Sequence, residues 1–197
     1  MNFISTYKNK WLQIPLGIRR MVLMGTLILI AWKAMYIFWL EPDRTLDEPL
    51  TVLVAKQTAW LMQVTWPEGN YRVLTEELFR GKAASGRIEH LYIVKDGVPT
   101  ISIADNCNGL ELMVLYAAFI ICMPGKASRK WIFILIGIPL LHLANLARCM
   151  GLVGMHLQWP GMFDFAHHYL FKIMVYGISF GLWALYLKPI TAKHAKH

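Results

Sequence analysis

Charged residues are scarce in this sequence: Asp, Glu, Lys and Arg make up 16% of 197 residues, whereas apolar and aromatic types make up 56%. Soluble domains carry about a quarter charged residues, so a chain this poor in charge has lipid as part of its solvent. Cysteine is scarcer still: three residues, at 107, 122 and 149, are too few for the disulfide framework of a small secreted module. Glycine (14) and proline (9) do not recur in a collagen-like pattern, and the apolar content excludes a disordered polar tail. Acid is the rarer charge, with 12 Asp and Glu against 20 Lys and Arg and a formal net charge of +8. Ten of those acids fall between residues 41 and 108; the other two are Glu111 and Asp164.

Long apolar runs fill the rest. Met21 to Leu40 is twenty residues with a single charge, Lys33, and about twenty residues cross the hydrocarbon core of a bilayer. Its length, the lack of a small-residue cleavage site and the terminal aromatics Tyr36, Phe38 and Trp39 mark a spanning helix rather than a signal peptide. Gly109 to Pro124, Trp131 to about Met150 and about Phe165 to Leu187 bring the expected count to four spans. Leu50 to Trp66 is interrupted by Lys56, Gln57, Thr58 and Gln63 and is apolar mostly on one face, which predicts an interfacial amphipathic helix. The expected fold class is all-α integral membrane, one polytopic domain over 1–197 with an extracytoplasmic insert at 41–108. Within that insert, alternation from Arg87 to Ile103 around Asp96-Gly97 predicts a small β-hairpin leading into the second span.

The basic residues orient the bundle. Lys8, Lys10, Arg19 and Arg20 precede the first span, Lys126, Arg129 and Lys130 join the second to the third, and Lys188, Lys193 and Lys196 follow the fourth. None of these segments holds an acid, so the positive-inside rule puts all three, with both termini, in the cytoplasm of a cell whose inner membrane the chain spans. The excess of basic residues thus records orientation, and no nucleic-acid partner is needed to explain it.

Ionisable side chains at span ends are costly and mark candidate sites. At about 1.5 Å per residue, Cys107, Arg148 and the pair His167-His168 all lie roughly 25–30 Å above the cytoplasmic side, on three different helices. Cys107 sits at a helix start, where unpaired N–H groups favour a thiolate, and Asp105, Asn106 or Asn108 is placed to cap that helix. Arg148 follows Asn145 by three and shares its face, with His142 one turn deeper; a fixed guanidinium there suits a developing oxyanion. Asp164, His168 and Lys172 recur every four residues on one face, and Asp164 is spaced to orient either imidazole. Glu111, one turn below Cys107, needs a partner, for which Arg148 is the candidate. Bland roles compete: a Cys107–Cys149 disulfide, a snorkelling Arg148, headgroup-facing histidines, an Asn145 that only ties helices together, and packing roles for Cys122 and Cys149.

Taken in order, Cys107-Asn108-Gly109 at the head of one span, Asn145-x-x-Arg148 at the end of the next and a His within His167-His168-Tyr169-Leu170-Phe171 opening the last resemble the exosortase/archaeosortase family. Members are polytopic membrane cysteine transpeptidases that process exported proteins bearing a carboxy-terminal sorting signal: a short motif, a hydrophobic helix and a basic tail. The resemblance covers roughly residues 85 to 185 and implies Cys107 as nucleophile, Arg148 as oxyanion stabiliser and His168 or His167 as the proton-transfer group, His168 being favoured by Phe171 three residues on. It implies an amine or a lipid-borne acceptor and no metal or organic cofactor. The chain departs from the family in its two adjacent His and in Lys172, where relatives place Gly. A non-catalytic membrane subunit of surface-polymer assembly and, more remotely, a metal or redox protein are the other classes considered; the second lacks a ligand set of proper spacing.

Overall fold

The structure is a computed structural model that describes residues 15–75 and 90–194. Lys8, Lys10, Lys196 and the first residues of the expected hairpin, 87–89, lie outside them. Helix α1, Leu16–Met35, runs on through a π-helical turn at Tyr36–Leu40 and a short turn at Glu41–Asp43, giving an apolar rod over Arg19–Asp43. Arg44 ends it in the left-handed conformation (φ 49°), and the chain doubles back into α2, Asp47–Thr65. Asp47 and Glu48 in the first turn of α2 complement its positive dipole end.

Three antiparallel strands follow, β1 Tyr71–Thr75, β2 His90–Lys95 and β3 Val98–Ala104, in spatial order β1-β2-β3. Between β2 and β3, Asp96 (φ 52°) and Gly97 (φ 84°) form the two-residue turn whose positive φ values match strand twist. The expected hairpin is thus joined by a third strand, β1, because two strands alone bury too little to stand in water. Leu91, Ile93, Ile101 and Ile103 project from one face of the sheet into a core completed by Val54, Ala55, Ala59 and Met62 of α2.

Helix α3, Leu110–Cys122, is apolar but has 13 residues, about 20 Å at the helical rise, short of the roughly 30 Å hydrocarbon core. Helix α4, Ala127–Gln158, has 32 residues, about 48 Å, well beyond the expected end at Met150. Leu152 and Val153 in the extra turns, with Cys149 just before them, close the core formed by α2 and the sheet, and His156 to Gln158 at the end are exposed. A second core joins Met113, Tyr116 and Ile120 of α3 to Ile134 and Leu141 of α4 and to Tyr186 of α5, Phe171–His194. Short turns at Pro160–Met162, Phe163–Phe165 and a π-helical turn at Ala166–Leu170 lead into α5, and the apolar stretch runs over Pro160–Lys188. The four expected apolar segments are therefore present as three full-length candidate spans and one short helix. The stretch expected to be interfacial is α2, outside that set. It buries Thr51, Val54, Ala55, Thr58, Ala59 and Met62 and leaves Leu53, Trp60 and Val64 exposed.

Candidate active site

Strand β3 ends in a single 3-10 turn, Asp105–Cys107, and Asn108 and Gly109 then hand the chain to α3. Gly109 is required: its φ is 86°, and a Cβ there would stand 3.3 Å from the Asn145 amide. Asn108 is buried, and its Oδ1 accepts the Leu110 N–H at 2.8 Å, capping the first turn of α3. Of the three capping candidates it is the one that performs the role.

Cys107 lies in this turn with its thiol free, as are those of Cys122 and Cys149. The Asn145 Nδ2 of α4 donates to the Cys107 carbonyl at 2.8 Å, and Arg148, one turn on, brings Nη2 to 3.7 Å from Cys107 Sγ. The thiol in turn approaches Asn106 Oδ1 at 3.4 Å. Arg148 Nε is buried without a partner, so the guanidinium keeps donor capacity in reserve. The i, i+3 spacing of Asn145 and Arg148 is what lets one helix face hold both the backbone and the sulfur of Cys107.

The histidines are divided by a local irregularity. The π-helical turn at Ala166–Leu170 inserts about one extra residue into the helical register, so the regular spacing that grouped Asp164, His168 and Lys172 does not carry through. His167 is half-buried, lies flat on Phe163 (centroids 5.9 Å, 4° between planes) and is within Coulombic range of Arg148. Phe163 packs on the same core as Cys107. His168 is exposed, edge-on to His167, and its Nδ1 lies 2.9 Å from the Asp164 carbonyl. A carbonyl only accepts, so Nδ1 carries a proton and a neutral His168 has its lone pair on Nε2. Asp164 thus orients an imidazole through its backbone; its carboxylate is exposed. Among the described residues, the hydrogen bonds of Cys107 go to Asn106, Asn145 and Arg148 and none to an imidazole.

Two expected neighbours have other partners. Glu111 pairs with Lys33 of α1 at 3.3 Å rather than with Arg148, and His142 Nε2 lies 2.7 Å from Gln57 Oε1 on α2. Lys172, Arg148 and Asn145 line a cavity of about 1010 Å³ between α1, α3, α4 and α5. Its lining mixes apolar side chains, Leu29, Trp32, Leu115 and Val175, with polar ones, Lys33, Glu111, Asn106 and Asn108; Cys107 itself is not part of the lining. Among the described residues no three His, Cys, Asp or Glu converge to hold a metal.

Sequence reasoning missed the residues that hold the Cys107 turn from α2 and the bend before it. Arg44 grips Asp105 with two bonds, Nε at 2.8 Å and Nη2 at 2.7 Å, and these bonds raise the Arg44 pKa above its ordinary value. Thr51 donates to Asp105 at 2.8 Å; Asn108 Nδ2 donates to Asp47 at 2.8 Å and to Thr51 at 3.3 Å. Tyr36 donates to the other oxygen of Asp47 at 2.8 Å. The available signal was Asp47 and Thr51, four apart on one face of α2, with Thr51 polar between Leu50 and Val52.

Residues 11–185 match the family model of transmembrane exosortases. No curated protein and no solved structure matches the chain. The match takes in α1, the sheet and all three helices around Cys107, and on that evidence this polytopic chain belongs to the exosortase family.

Proposed function

We propose that the chain is a cysteine-dependent membrane transpeptidase that cleaves the carboxy-terminal sorting signal of exported proteins on the extracytoplasmic side of the inner membrane. The observation that carries the reading is the meeting of Cys107 Sγ with Arg148 Nη2 at 3.7 Å while Asn145 holds the Cys107 carbonyl. In this reading an imidazole takes the Cys107 thiol proton, the thiolate adds to a backbone carbonyl near the substrate's hydrophobic helix, and the resulting oxyanion is met by Arg148. The tetrahedral adduct collapses, the amine leaves with a proton from an imidazole, and a thioacyl enzyme remains. An acceptor amine or a lipid-borne nucleophile then attacks the thioester and gives its proton to the same imidazole, which passes it to the departing Cys107 sulfur and so restores the thiol. His167 is favoured for that proton by its half-buried position against Phe163, which packs on the same core as Cys107, although spacing to Phe171 favours His168.

The cavity beside the Cys107 turn is the place for the sorting helix in this reading: Leu29, Trp32 and Val175 offer it apolar surface, and Asn106 and Arg148, the neighbours of the Cys107 thiol, line the same cavity. Cys107→Ala is expected to abolish processing in the native host and to leave precursor in the membrane, while Cys149→Ala is nearly silent. Arg148→Lys keeps the charge but loses the planar donor fork, and is expected to slow processing about a hundred- to a thousandfold. Substitution of His167 and His168 by Gln, one at a time, identifies the proton carrier by which one halts turnover. Normal processing by both Cys107→Ala and Arg148→Lys would leave a non-catalytic subunit of surface assembly as the better reading.

A further inference from the structure

We infer that Thr51, with Asp47, is a positioning device for the nucleophile, fixing the Cys107 turn from α2 while Asn145 and Arg148 meet it from α4; the inference rests on the transpeptidase reading above. The direction of every bond in the network is determined. The backbone N–H of Leu110 can only donate, so the atom of Asn108 facing it is Oδ1, and Nδ2 is turned toward Asp47 and Thr51. Asp105 is gripped by Arg44 through both oxygens and only accepts, so the single Thr51 proton goes to Asp105 and a Thr51 lone pair receives Asn108. One hydroxyl thereby fixes both the residue two before Cys107 and the residue after it.

Burial makes the arrangement exacting. Thr51 and Asn108 are each 1% exposed and Asp47 is 3% exposed, so a lost partner is not replaced by bulk water. Asn145 holds the Cys107 carbonyl from α4, and Thr51 and Asp47 hold the flanking side chains from α2. With the turn seized from two helices, Sγ is kept at Arg148 by contacts that do not involve the sulfur. Tyr36 brings α1 into the same network through Asp47.

The test uses the full chain and asks for the hydroxyl specifically. Thr51→Val keeps shape and removes the bonds, Thr51→Ser restores the hydroxyl, and Tyr36→Phe removes one outer donor with little risk to folding. Hydrogen exchange is measured on the segment 105–110 in detergent. In the native host, conversion is followed for the precursor that accumulates when Cys107→Ala replaces the wild type. Thr51→Val is expected to speed exchange of that segment at least tenfold, with α4 and the sheet unchanged, and to slow conversion about ten- to a hundredfold, the range for losing a hydrogen bond to a charged group. Thr51→Ser is expected to match wild type in both, and Tyr36→Phe to show a smaller shift in the same direction. Wild-type exchange and conversion in Thr51→Val, or a Thr51→Ser chain as impaired as Thr51→Val, overturns the inference. Absence of any accumulating precursor overturns the transpeptidase reading instead, and the exchange arm then decides the clamp by itself.

Discussion

Gly109 is where the chain's chemistry and its backbone meet. Ala in the left-handed region costs about 1–2 kcal/mol, and here its methyl would also press on the Asn145 amide. Gly109→Ala is therefore expected to lower the thermal midpoint and to weaken the Asn145–Cys107 contact, so that processing falls further than the stability loss accounts for. Unfolding in detergent and processing in the host, measured on the same variant, check this. Cys107, Asn145 and Arg148 were legible in the sequence because a thiol, an amide and a guanidinium stand out in apolar runs and their i, i+3 spacing survives in a regular helix. The choice between His167 and His168 was not. A helical wheel assumes unbroken 3.6-residue periodicity, and the π-helical turn at Ala166–Leu170 breaks it at the two residues in question.

At the scale of elements, α4 is the helix around which the rest is built. Of its apolar window, 39% is buried, whereas none of the α1 window is, so steric demands concentrate on α4. A Cβ at Gly137 would overlap the ring of Tyr116, which is fully buried and donates to the Phe133 carbonyl at 2.8 Å. Gly137→Ala is expected to destabilise by about 1–3 kcal/mol through overpacking. At Gly154, in the same helix, nothing stands within 4 Å of a Cβ. There Ala is expected to be neutral or to stabilise by up to about 1 kcal/mol through helix propensity. Equal thermal shifts from the two variants would remove the packing argument. The length of α4 was underestimated from sequence because about twenty residues suffice to cross a bilayer, whereas this helix runs on to Gln158 and packs Leu152 and Val153 on α2 and the sheet.

For the whole molecule, orientation rests on ten basic and no acidic residues in the three segments read as cytoplasmic. Reporter fusions after Leu40 and after Asn108 are expected to read extracytoplasmic, and fusions after Gly125 and Lys188 cytoplasmic. A cytoplasmic reading at Asn108 would mean that α2 crosses the membrane, and the site would lose its extracytoplasmic address.

Membrane residence, the apolar segments, their charge-biased ends and the trio Cys107, Asn145 and Arg148 followed from the sequence alone. All of them are encoded in runs, counts and short spacings within single elements. The partners of Glu111 and His142, the third strand and the network of Tyr36, Arg44, Asp47 and Thr51 came only with the tertiary structure. Arg44 meets Asp105 and Asp47 meets Asn108 across 61 residues of chain, and Thr51 meets Asp105 across 54. Such pairings depend on how α2 packs over the sheet and against α4, and local periodicity carries no record of which distant polar groups that packing will leave face to face.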